Sequence, residues 1–140
     1  MILVSSCLAG MKTRYDGMSC PHENIVRLVK SGGAVAVCPE ILGGLSIPRE
    51  AAEIDTGSGW NVLEGKAKVY TLSGKDVTHM FTSGAGKVLG LARALGVCRA
   101  VLKSDSPSCG SGGKGQDGVT TALLKKNGIE VVTEEEFSKQ

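Results

Sequence analysis

Short apolar runs alternate with amphipathic stretches along most of the chain. Ile2-Leu3-Val4-Ser5-Ser6 ends at Cys7 and opens into Gly10, which predicts a buried first strand with a functional loop behind it. From about Glu23 to Ser31, Ile25, Val26, Leu28 and Val29 share one helical face, and Gly32-Gly33 supplies a stop. Ala34-Val35-Ala36-Val37 is a second buried strand that again ends at a cysteine, Cys38. Residues 39–65, rich in Gly, Pro and Glu, read as an extended excursion with little regular structure. Alternation over 66–72 predicts a strand, closed by the turn signal Ser73-Gly74. The apolar positions Met80, Phe81, Val88, Leu89, Leu91, Ala92 and Leu95 suit a long helix over 78–95, capped by Thr78 or Asp76 and ended by Gly96. Residues 98–102 predict a third buried strand, 118–126 a short amphipathic helix and 130–132 a last strand. Thr133 with Glu136 then forms a capping-box pattern.

Strands alternating with helices predict an α/β fold of three layers. A mostly parallel, Rossmann-like sheet is flanked by helices, and the ligand site lies beyond the carboxyl ends of the strands. With 140 residues, one domain spanning 1–140 is expected. Only 4% of residues are aromatic and 20 are glycine, so the core must come from Val, Leu, Ile and Ala. A net charge of +2 gives no ground for a dedicated nucleic-acid surface. The N-terminus lacks a charged leader and no apolar run approaches the ~20 residues of a membrane span, so a cytoplasmic protein without a membrane partner is expected.

Five cysteines in such a compartment are better read as metal ligands, nucleophiles or small buried hydrophobes than as a disulfide framework. Cys7, Cys38 and Cys109 each lie at or just past the end of a predicted strand, where one sheet edge gathers them. Three converging thiolates can hold zinc with an open position, or a cubane iron–sulfur cluster with one iron lacking a protein ligand. The spacing matches neither a zinc ribbon nor the compact ferredoxin run, and three unrelated strand-ending cysteines remain the alternative. The neighbours add weight. Pro39 follows Cys38, and Glu40 places a carboxylate two residues on as a candidate acid or base. Arg14, Tyr15 and Asp16 sit on a turn after Cys7, and Ser106 and Ser108 bracket Pro107 beside Cys109.

The stretches "CLAGMKTRYDG", "VCPEILGGLSIPREAAEI", "VLEGKAKVYTLSGKDVTHMF", "LKSDSPSCGSG" and "DGVTTALLKKNGIEVV", in that order, resemble the thiouracil desulfidase family over nearly the whole chain. The CPE-x-x-GGL-x-x-PR and SPSCG motifs are the specific ones. The resemblance implies a 4Fe-4S cluster held by Cys7, Cys38 and Cys109 with one open iron site. It implies Glu40 and Ser106 as the catalytic acidic residue and serine, Asp16 as a lesser candidate, and Ser108 as a further candidate hydroxyl. The implied activity is hydrolytic, non-redox conversion of C=S to C=O in a thiolated base of the 2-thiouracil or 4-thiouracil type, by a monomer or homodimer. Two departures stand out. Thr13 occupies a position where many members have a cysteine. Residues 111–116 replace a longer aromatic-containing insertion, which predicts a more open site.

Competing readings are a desulfidase for 4-thiouridine in tRNA, a structural metal or cluster module without catalysis, and a thiol redox protein. The absence of any Cys-x-x-Cys weighs against the last. Cys20 beside His22, ahead of a helix begun at Pro21, is read without a role. Cys98 is expected in the core and His79 at the surface or as a cap. Lys103, Lys114, Arg14 and Arg49 read as solvated basic residues before phosphate contacts.

Overall fold

A computed structural model describes residues 1–110 and 117–139. The expectations placed on 111–116, Lys114 among them, therefore lie outside the described residues. Four parallel strands form the main sheet: β1 (Ile2–Ser5), β2 (Ala34–Val37), β5 (Arg99–Leu102) and β6 (Glu130–Thr133), in the order β2-β1-β5-β6. Leu3, Ala100 and Val131 stand in one row of the register and Val4, Val101 and Val132 in the next. Because side chains alternate across a strand, the two rows face opposite layers. The first row packs with Val88, Leu89 and Ala92 of α4 (Thr78–Leu95) and Leu124 of α5 (Val119–Lys126). The second packs with Ile25, Leu28 and Val29 of α1 (Glu23–Lys30) and Phe137 of α6 (Glu134–Ser138). The expected three-layer α/β architecture is thus observed.

Several boundaries differ from the pattern reading. Residues 39–65 hold more regular structure than their composition predicts: α2 (Pro39–Leu42), β3 (Ala52–Ile54) and α3 (Gly59–Leu63). The strand expected over 66–72 is β4 (Val69–Thr71), which pairs antiparallel with β3 in a separate two-stranded sheet. These elements are three to five residues long, too short to show a period, and tertiary packing around Phe81, Val69 and Val119 decides them. Helix α1 begins at Glu23 with His22 as its N-cap, not at Pro21. Cys98 precedes β5 and is exposed, not core. Its neighbours Val97 and Ala100 take the buried positions instead. Gly96 ends α4 at φ 67°, and Thr133 and Glu136 form the reciprocal capping box, both as expected. The N-cap of α4 is Val77 rather than Thr78 or Asp76; Asp76 lies one residue earlier and accepts from the Thr78 amide at 2.9 Å.

The short α2 is seated on α4 by two glycines. A Cβ on Gly84 would lie 2.0 Å from the Pro39 carbonyl oxygen, and one on Gly43 would lie 1.9 Å from that of Met80. Real Cβ atoms never approach backbone so closely, so the helices would have to separate. Gly84→Ala is expected to lower stability by about 1–3 kcal/mol, as overpacking does. The mid-helix Gly86, where an added Cβ would meet nothing within 4 Å, is the control. Its change to Ala is expected to stabilise by roughly 0.5–1 kcal/mol. Thermal unfolding of the two variants checks both signs.

Candidate active site

In a parallel sheet the crevice forms where successive connections leave in opposite directions. Here that point is β1, flanked by β2 on one side and β5 on the other. Strand β1 runs into a 3-10 helix, Ser6–Ala9, that carries Cys7, and β2 ends at Cys38, the N-cap of α2, with Pro39 in its first turn. Strand β5 is followed by the loop from Lys103 to Gly110. A cavity of about 260 Å³ at this switch point is lined by Cys7, Cys38, Cys109, Glu40, Ser106 and Ser108, among others. Sequence separation of more than a hundred residues is removed by register alone. Every residue expected at the site lines this cavity except Asp16. The Asp16 carboxylate instead accepts from the Met18 amide at 3.0 Å and lies 3.8 Å from Arg14, closing the turn.

The loop bearing Cys109 is held from behind by the start of α5. The amides of Val119 and Thr120 donate to the Pro107 and Ser108 carbonyls, both at 2.9 Å, and the Thr121 hydroxyl donates to the Cys109 carbonyl at 2.7 Å. Such closeness requires glycine: a Cβ on Gly118 would sit 2.5 Å from the Ser108 carbonyl carbon. Asp105, with φ at 60°, takes a left-handed turn uncommon for a side-chain-bearing residue.

A hydrogen-bonded chain crosses the cavity wall. Arg49 Nε donates to Glu40 Oε1 at 3.0 Å, and the two side chains are only 7% and 13% exposed. Arg49 Nη2 also donates to the Thr13 carbonyl at 3.0 Å, tying the Cys7 and Cys38 loops together. The Ser108 hydroxyl donates to Glu40 Oε2 at 3.0 Å and lies 3.1 Å from Ser106 Oγ. With the Ser108 proton on the carboxylate, Ser106 fills that contact as donor, since a hydroxyl carries one proton. Ser106 Oγ also accepts the amides of Ser108 and Cys109, at 3.2 and 3.1 Å.

Sequence reasoning misses three supports. Arg49 reads as a solvated base, although its place nine residues after Glu40 in the CPE-x-x-GGL-x-x-PR motif is a usable signal. The Ser5 hydroxyl takes the Lys103 amide at 2.9 Å, holding the start of the loop that bears Cys109, and lines the same cavity. It reads only as a strand residue. Glu134 binds the Ser104 amide at 2.9 Å and its hydroxyl, and lies 3.5 Å from Lys103 Nζ. Burial acts to raise its pKa, but the Ser104 hydrogen bonds prevail and hold the carboxyl below the usual range. Of the residues read without a role, Cys20 contacts Cys7 outside the cavity lining, Cys98 and His79 are exposed, and the His22 ring bonds Ser138 at 2.6 Å.

A protein-family model of the 2-thiouracil desulfurases matches residues 2–136. The chain belongs to this family. It is 48% identical to the uncharacterized protein YbbK of Bacillus subtilis (strain 168), over 99% of this chain and 98% of that one. Among solved structures it is similar to a [4Fe-4S]-dependent thiouracil desulfidase, TudS, with a TM-score of 0.85 and 41% identity over 99% of this chain and 93% of that one. The family and the fold expected from the motifs are thereby shown. No helix among the described residues is long and apolar enough to cross a membrane.

The donor chemistry fits a cationic iron–sulfur group. Burial, and then the neighbouring thiols, push the Cys7 thiol up, and burial with the nearby Cys38 pushes Cys109 up to about 12, against hydrogen bonds from Ser5 and Ser108. Both hold their protons more tightly than a free thiol does, and each becomes a thiolate once a metal replaces the proton. Among the described residues, no three or more His, Cys, Asp or Glu side chains close around a single metal ion. The three thiols line one cavity.

Proposed function

We propose that the chain removes sulfur from a thiolated pyrimidine, converting C=S and water to C=O and hydrogen sulfide without net oxidation. In this reading Cys7, Cys38 and Cys109 hold a 4Fe-4S cluster and leave one iron without a protein ligand. Bound there, such a cluster supplies a soft Lewis-acid position suited to thiocarbonyl sulfur. The observation that carries the proposal is the Glu40 carboxylate, hydrogen-bonded to Ser108 in the same cavity as the three thiols.

Glu40 serves as the base for the attacking water, with Arg49 on Oε1 and Ser108 on Oε2 fixing how the carboxylate is presented. Ser106, more exposed than the buried Ser108, stands at the substrate end of the hydroxyl chain. Ser108 passes the proton between Ser106 and Glu40, and the same chain returns one to the departing sulfide. The cavity, about 260 Å³, is near the lower end of small-molecule pockets, roughly 300–1,000 Å³, and suits a free base. Among the described residues, the basic ones lining it are already engaged: Arg49 with Glu40, Lys103 with Glu134 and Arg14 with Asp16. That arrangement favours a free base over thiouridine in tRNA, whose phosphates call for uncommitted basic side chains.

The test is anaerobic reconstitution followed by incubation with 2-thiouracil, 4-thiouracil or 4-thiouridine. Sulfide and the oxo product are expected in equal amounts from at least one of them. Protein that binds iron and sulfide but releases no sulfide from any of the three overturns the proposal.

A further inference from the structure

Cys20 is the one cysteine in contact with a site thiol that the desulfidation chemistry leaves without work. Its side chain packs against the same buried cluster that contains Cys7. The backbones are joined as well: the Cys20 amide donates to the Cys7 carbonyl at 3.0 Å, and the His22 amide to that of Leu8 at 2.8 Å. Cys20 is half-buried and does not line the cavity, while Cys7 does.

We propose that Cys7 and Cys20 form a reversible thiol-oxidation site in the cluster-free protein. A peroxide is the oxidant. One thiol sulfur attacks a peroxide oxygen, the O–O bond breaks and water leaves, giving a sulfenic acid. The second sulfur then attacks the first, the S–S bond forms and the S–O bond breaks with loss of a second water. Two thiols have given two electrons to one peroxide. Cys20, more open to solvent than Cys7, is oxidised first, and Cys7 resolves it. The cross-link withdraws Cys7 from the cavity and shields it from irreversible over-oxidation. A thiol reductant returns it.

The consequence for cluster loading rests on the ligand assignment proposed above, but the disulfide itself does not. Cluster-free full-length protein treated with stoichiometric hydrogen peroxide is expected to lose two hydrogens. Digestion without reductant is expected to yield a Cys7–Cys20 cross-linked peptide, and Cys20→Ala to yield none. A Cys7–Cys38 or Cys7–Cys109 cross-link, or singly oxygenated Cys20 without a cross-link, overturns the inference. Oxidised wild-type protein is further expected to take up iron and sulfide only after dithiothreitol. If the cross-link forms and loading proceeds regardless, Cys7 is not a ligand, and the cluster assignment fails while the disulfide stands.

Discussion

Cys38→Ala is expected to lose essentially all bound iron and all sulfide release while keeping its fold. Two remaining thiolates do not suffice to hold a cluster that leaves one iron open, so the loss is complete rather than graded. Cys38 is the best position for the experiment because its sulfur contributes little to packing. It is half-buried at the N-cap of α2, makes no capping bond, and has only weak contacts, 3.8 Å to the Thr13 carbonyl and 4.0 Å to Arg49 Nη2. Cys109 by contrast belongs to the core cluster, where truncation also leaves a void. The measurements are iron and acid-labile sulfide per chain after anaerobic reconstitution, and the melting temperature of the cluster-free protein. Cys98→Ala, at an exposed position, is expected to match wild type in both. Full iron in Cys38→Ala, with loss in Cys20→Ala instead, moves the ligand set.

Glu40→Gln is expected to lower the desulfidation rate by about 10²–10⁴-fold, the range for removal of a general base, with iron content unchanged. Glutamine keeps an oxygen for Arg49 Nε and a partner for Ser108, so the shape of the wall is retained and proton transfer is removed. A stability loss accompanies it. Arg49 is 7% exposed and loses its charge partner, and unpairing a buried ion costs up to roughly 3–5 kcal/mol. The Arg49 bonds to the Thr13 and Ser46 carbonyls, at 3.0 and 3.3 Å, offset part of that cost. A rate normalised to iron-loaded, folded protein separates chemistry from stability. A normalised rate equal to wild type removes Glu40 from the mechanism.

The sheet is legible because β1, β2 and β5 are continuous apolar runs, each ending at or near a cysteine or the loop that holds one, which parallel strands buried on both faces must be. Glu40, Ser106 and Ser108 are legible through their nearness to those cysteines and through the family motifs. The same nearness singles out Asp16, yet its carboxylate is taken up by the Met18 amide in an exposed turn. Nearness along a loop does not say which way a short polar side chain turns. The Arg49–Glu40 pair, the Ser5 bond to the Lys103 amide and the backbone bond from Cys20 to Cys7 join different elements, and no helical or strand period encodes them.

The sequence by itself determined the alternation of strands and helices, the glycine stop of α4, the capping box of α6, and the three cysteines at or past strand ends, because each of these depends on residues a few positions apart. Only the tertiary structure decided that the cysteines, one carboxylate and two hydroxyls share a cavity at β1, and that Asp16 stays outside it. The physical reason is the strand order. Placing β2 and β5 on opposite sides of β1 opens the crevice, and close backbone contacts at Gly84 and Gly118 set how deeply the loops bearing Glu40 and Cys109 reach into it.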